Sequence, residues 1–173
     1  MTYDPNESEN EKHRRSIRLP KYDYAGRGSY FITICVQNRE RILGHILSGE
    51  VFLSRLGVIA DVLWHEIPNH FENVKIHAFV AMPNHIHGVF QITEYQGTPM
   101  PKNRFQNPGK NTVSSIVGAY KASVSRHAHR LGMEFAWQRN YYEHVIRDAE
   151  DWERIINYIK DNPINWEKDS LNS

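Results

Sequence analysis

The chain has 173 residues, with 40% hydrophobic and 24% charged residues and a formal net charge of +1. That size and composition suit one soluble domain and exclude a strongly basic nucleic-acid binder on overall charge. Its single cysteine excludes an internal disulfide framework and a cysteine zinc cluster.

Residues 1–13 are polar and acidic and read as a disordered tail, not a signal peptide. Residues 14–173 then form one domain. No run approaches the ~18 apolar residues of a membrane helix, so a cytoplasmic protein without membrane contact is expected.

In chain order, Ser29 to Gln37 is aromatic and β-branched and predicts a buried strand. Arg39 to Leu53 predicts a hairpin region turning at Ser48-Gly49. Leu56, Ile59, Ala60, Leu63, Trp64 and Ile67 recur at helical spacing, which predicts an amphipathic helix stopped at Pro68-Asn69. Val74 to Met82 predicts a second strand. Pro83-Asn84 turns the chain into a third, His85 to Thr93. The prolines and glycines from Tyr95 to Lys110 predict a loop. Thr112 caps a long helix with Val113, Ile116, Val117, Tyr120, Val124 and Leu131 inward. Phe135 to Arg147 holds another extended segment. Asp148 to Asn162 is the last helix, ended by Pro163.

The two-residue link between the second and third strands makes them antiparallel. The order points to an α+β fold with a ferredoxin-like antiparallel sheet and helices packed on one face.

Charge is segregated along this map. From Tyr95 to Met133 there is no Asp or Glu, while Lys102, Arg104, Lys121, Arg126 and Arg130 fall in that stretch. Arg14, Arg15, Arg18 and Lys21 make a second basic run near the start. Such stretches suit phosphate contacts along a single strand, with Phe105, Tyr120 and Trp137 as candidate stacking faces.

The sharpest local feature is Pro83-Asn84-His85-Ile86-His87. Side chains alternate along a strand, so His85 and His87 point the same way and Ile86 the other. Two imidazoles can converge on one divalent ion, leaving positions for water or phosphate. On the last helix, Trp152, Ile155, Ile156 and Ile159 form the core stripe. Tyr158 and Asn162 are an i, i+4 pair on its flank, shared by Asp151. A tyrosine can act as a covalent nucleophile, and an amide oxygen is a hard metal ligand.

These segments resemble a known family. Ala78 to His87 (AFVAMPNHIH) looks like the HUH region of single-tyrosine transposases, with Ile86 as the hydrophobic U. Trp137 to Arg147 (WQRNYYEHVIR) is similar to the Trp-Gln segment and the Tyr/Phe-x-(Asp/Glu)-His-x-(Ile/Leu)-Arg stretch of REP-associated tyrosine transposases. Tyr158 to Pro163 (YIKDNP) is similar to their Tyr-Ile-x-x-Asn-Pro helix. The resemblance spans about residues 14–166.

It implies cleavage of single-stranded DNA beside a hairpin through a 5′-phosphotyrosine intermediate, as in DNA transposition. It makes Tyr158 the nucleophile, His85, His87 and Asn162 the metal ligands, and Mg²⁺ or Mn²⁺ the ion. It implies a monomer or a homodimer. Tyr141 and Tyr142 are neighbouring nucleophile candidates, and Tyr142 and His144 are candidate accessory groups. Two alternatives stand beside this reading. One is a domesticated, non-transposing DNA-binding protein on the same fold. The other is a metal-dependent small phosphoesterase.

Overall fold

Strand β1 (Gly28–Cys35) is the centre of the structure, a computed structural model that describes residues 27–94 and 112–172. It alternates two apolar sets. Tyr30, Ile32 and Ile34 are buried on one face, and Phe31 on the other. Buried on both faces, it takes partners at both edges.

A hairpin follows, β2 (Gly44–Leu47) and β3 (Glu50–Leu53). Its turn is Ser48-Gly49, as expected, with φ of 52° and 79°. Two successive positive φ values match the right-handed twist of the paired strands.

Helix α1 (Arg55–His65) starts at Ser54, whose side chain accepts from the Gly57 amide. It ends before Pro68. The proline instead lies in a further short helix, α2 (Ile67–His70). That placement follows from proline being tolerated in a helix's first turn, where its missing N–H costs nothing.

Strands β4 (Val74–Ala81) and β5 (His85–Ile92) form the antiparallel pair expected from their short link. Helix α3 (Val113–Arg130) begins at Thr112, which forms a reciprocal capping box with Ser115. The extended segment before the last helix is shorter than its expected range. Trp137 makes an isolated bridge to Val36, and β6 is Tyr142–Ile146. Helix α4 (Ala149–Asp161) is capped by Asp148.

The sheet order is β4-β5-β1-β6, all antiparallel. That is the ferredoxin-like arrangement, so the α+β expectation holds. Helices α1 and α3 cover the Tyr30 face, where the Tyr120 hydroxyl donates to the Ala60 carbonyl at 3.0 Å. Helix α4 packs on the other face, setting Ile155 and Ile159 against Phe31, Val89 and Ile146. The sheet is therefore enclosed from both sides, not covered on one face as expected, because the apolar stripe of α4 packs on the second apolar set of β1 and β5. The buried Trp64 of α1 lies against Gly88 of β5, where an added methyl group would strike its indole.

The tail of residues 1–13, the basic arm Arg14, Arg15, Arg18 and Lys21, and Lys102, Arg104 and Phe105 lie outside the described residues. No helix among the described residues is long and apolar enough to cross a membrane.

Candidate functional site

The Pro83-Asn84 turn delivers the chain into β5, closed by the Met82 amide donating to the His85 carbonyl at 2.8 Å. His85 and His87 then share the α4 face of the sheet, at 0% and 2% exposure. Ile86 and Phe90 enter the apolar layer under α1 and α3. Strand alternation alone produces this division.

Each imidazole is held through Nδ1. His85 Nδ1 donates to Asn84 Oδ1 at 2.7 Å. The Asn84 amide is itself oriented, because its Nδ2 donates to the Leu171 carbonyl at 2.7 Å. His87 Nδ1 lies 2.8 Å from Thr33 Oγ1 on β1, its cross-strand partner. An amide oxygen only accepts, so the His85 proton sits on Nδ1 and its Nε2 carries a lone pair. This is the arrangement found behind metal-binding histidines.

The two Nε2 atoms face each other at 3.0 Å. Burial lowers His85 to about 4 against the opposing pull of Asp169, with Arg39 adding to the lowering. Burial, then the neighbouring His85, holds His87 well below the usual histidine range. Both rings are thus neutral near pH 7 and able to ligate.

A buried carboxylate completes the cluster. Asp169 Oδ2 lies 3.7 Å from His85 Nε2. Asp169 Oδ2 and Asn162 Oδ1 are both buried without a hydrogen-bond partner. An orphaned buried oxygen is costly, and a carboxylate oxygen beside converging imidazoles is what a cation would satisfy. The ligand atoms of His85, His87 and Asp169 all lie within 4.8 Å of one another. Two nitrogens and a carboxylate oxygen fit a divalent ion with open positions.

Asp169 is absent from the set expected from sequence. It follows the short 3₁₀ turn Trp166–Lys168, in a tail with no periodic pattern. The tail is tied back by Arg41, which donates to the Asn172 carbonyl at 3.0 Å and its Oδ1 at 2.9 Å, and by Arg39 to the Ser170 carbonyl. Its one visible signal is an acid following the Tyr158 helix.

Helix α4 brings Tyr158 to the same point. Its hydroxyl is 3.3 Å from His87 Nε2, with the rings 5.2 Å apart. Burial first, then Asp169, raises the phenol, while a hydrogen bond with Asn162 opposes the rise. The hydroxyl is therefore protonated near pH 7, and a reaction through it needs its proton removed.

Other expected residues fall differently. Tyr142 is exposed on β6, with its ring 6.2 Å from Phe31. His144 Nε2 bonds Asp151 Oδ2 at 2.7 Å, and Asp151 also pairs with Arg154. A cavity of about 630 Å³ opens along Tyr158, His87, Tyr142, His144 and Arg154. Tyr120 and Trp137 are buried in the core and present no stacking face. Lys121 is half-buried, and its Nζ donates to the carbonyls of Gln138 at 2.6 Å and Arg139 at 3.1 Å. Arg126 and Arg130 are exposed on α3, which packs across the sheet from the histidines.

No protein-family model matches the chain. A protein of Haemophilus influenzae described as uncharacterized is 44% identical over 167 residues, covering 92% of this chain and 93% of that one. The REP-associated tyrosine transposase of Escherichia coli is 25% identical over 141 residues, 82% of this chain and 69% of that one. A solved REP-associated tyrosine transposase, bound to a REP hairpin, superposes with a TM-score of 0.60 at 21% identity, over 87% of this chain and 74% of that one. The chain belongs to one family with the Haemophilus influenzae protein, and it has the fold of the REP-associated tyrosine transposases.

Proposed function

We propose that the protein is a metal-dependent single-stranded DNA transesterase of transposase type that cuts beside DNA hairpins. The observation that carries this is the 3.3 Å approach of the Tyr158 hydroxyl to His87 Nε2, in a cluster with His85 and Asp169. A structural tyrosine has no need of two buried histidines anchored through Nδ1 and an unsatisfied carboxylate oxygen beside them. The distant relative and the solved hairpin complex, each a REP-associated tyrosine transposase, agree with it.

In this reading Tyr158 Oη attacks the phosphorus of one linkage. The bond from phosphorus to the 3′ oxygen breaks, and that oxygen leaves with the electron pair and takes a proton. The products are a 5′-phosphotyrosine and a free 3′-OH, with the ester energy retained. His85, His87, Asn162 and Asp169 would hold Mg²⁺ or Mn²⁺. When bound, that ion supplies Lewis-acid polarisation of a phosphate oxygen. Asn162, one helical turn beyond Tyr158, keeps the phenol oriented.

The basic residues share the remaining work. Arg126 and Arg130, across the sheet, suit hairpin phosphates rather than the cut linkage. Arg14, Arg15, Arg18, Lys102 and Arg104 would add phosphate contacts, and binding would weaken as salt rises.

The test uses end-labelled hairpin DNA with a single-stranded flank, incubated with Mn²⁺. A denaturation-resistant protein–DNA adduct is expected, and Tyr158→Phe should abolish it. Repeated turnover without an adduct would instead identify a water nucleophile.

A further inference from the structure

The cavity beside Tyr158 has features that phosphodiester chemistry alone does not require. Its volume, about 630 Å³, exceeds what one phosphate fills and falls within the usual range for ligand pockets. The Phe31 ring lies against it, stacked at 5.3 Å on His87. Two tyrosine rings stand steeply to Phe31. Tyr158 is 6.0 Å away at 86°, and Tyr142 is 6.2 Å away at 70°. Both tyrosines are exposed, at 43% and 47%. Tyr142 thus keeps a wet aromatic face turned over the cavity, although it belongs to an edge strand with open solvent nearby. Gln138 and Asn140 line the same cavity and offer amide donors and acceptors. Arg154, fixed by Asp151, lines it from α4 one turn before Tyr158.

We propose that this cavity is a nucleobase pocket. It takes the unstacked base of a nucleotide flanking the cut linkage, which packs on the exposed ring of Tyr142 with its edge toward Gln138 and Asn140. The inference rests on the DNA-strand reading above and adds to it a protein-made subsite for one base. Exposed aromatic rings are the surfaces on which single-stranded bases stack, and side-chain amides are the groups that read base edges. Arg154 suits the neighbouring phosphate, where a guanidinium makes paired hydrogen bonds. A small phosphate ester would leave the aromatic wall uncovered.

The experiment separates the pocket from the chemistry. Hairpin DNA carries 2-aminopurine at one position at a time along its single-stranded flank. It is titrated with the Tyr158→Phe protein in EDTA, so no cleavage is needed. One position should show a large, localised fluorescence change on binding. Tyr142→Ala in the same background should remove that change and weaken binding about tenfold, whereas Tyr142→Phe should retain both. An abasic nucleotide at that position should slow adduct formation by the wild-type protein. A uniform response along the flank, or one insensitive to Tyr142→Ala, would overturn the pocket. An adduct formed without a localised response leaves the transesterase reading standing and removes only the pocket. A localised response without any adduct removes the transesterase reading and retains the pocket.

Discussion

The Nε2 atoms of His85 and His87 lie 3.0 Å apart, and the Nδ1 of each faces an oxygen behind it. His85 so held turns its Nε2 lone pair toward His87, and a cation seated between the rings would be bound by both Nε2 atoms. Ion binding should therefore stabilise the fold. At a Mn²⁺ concentration about 100-fold above its dissociation constant, the gain is about 2.7 kcal/mol, or roughly 5–10 °C in Tm. Thermal unfolding with Mn²⁺ against EDTA measures it. His85→Ala and His87→Ala should each lose the shift. Asp169→Asn should keep it only at about tenfold or more higher ion concentration, since it loses one ligand charge.

Acid should destabilise the ion-free protein. The folded pKa of His85 is about 4, against about 6.5 for an unperturbed histidine. Between those values the unfolded chain binds more protons, so stability is fully present above about pH 6.5. It is lost as pH falls from there through about 4, and His87, lowered in the same direction, adds to the loss. Tm measured in EDTA from pH 7.5 to 4 should fall across that window. His85→Gln should flatten the slope, and an unchanged slope would contradict the burial account.

Tyr158 meets His87 of its own chain. Mixing His87→Ala protein with Tyr158→Phe protein should therefore yield no covalent DNA adduct. Recovery of the adduct on mixing would mean that helices are exchanged between copies. Tyr158→Phe alone should unfold within about 0.5 kcal/mol of wild type, because its ring is half exposed.

Gly88→Ala should lower stability by about 1–3 kcal/mol, because its new methyl group meets the Trp64 ring of α1. Urea unfolding would show a lower midpoint with an unchanged slope. Since Gly88 follows His87 on β5, the same variant should also weaken Mn²⁺ binding.

Much of this site is legible in sequence because it is local. The alternation of His85, Ile86 and His87 and the one-turn spacing of Tyr158 and Asn162 are backbone periodicities, readable without a partner. Asp169 is not legible in that way. It reaches His85 only because Arg39, Arg41 and Asn84 bind the tail. These contacts join residues distant in sequence, where no period operates. The two-sided cover of the sheet is hidden for a related reason. The apolar stripe of α4 shows that the helix is buried, but not against which face. Lys121 shows the limit of charge counting, since its ammonium is taken up by two loop carbonyls.

The alternation along β5 has a consequence for folding fidelity. A one-residue slip of this strand would carry both imidazoles into the layer under α1 and α3, and send Ile86 and Phe90 toward α4. The slipped pairing would bury polar rings without partners and leave apolar groups beside Tyr158. Misregistered chains are thereby penalised by the hydrophobic core itself. The packing that makes the domain stable also gauges the placement of its two histidines.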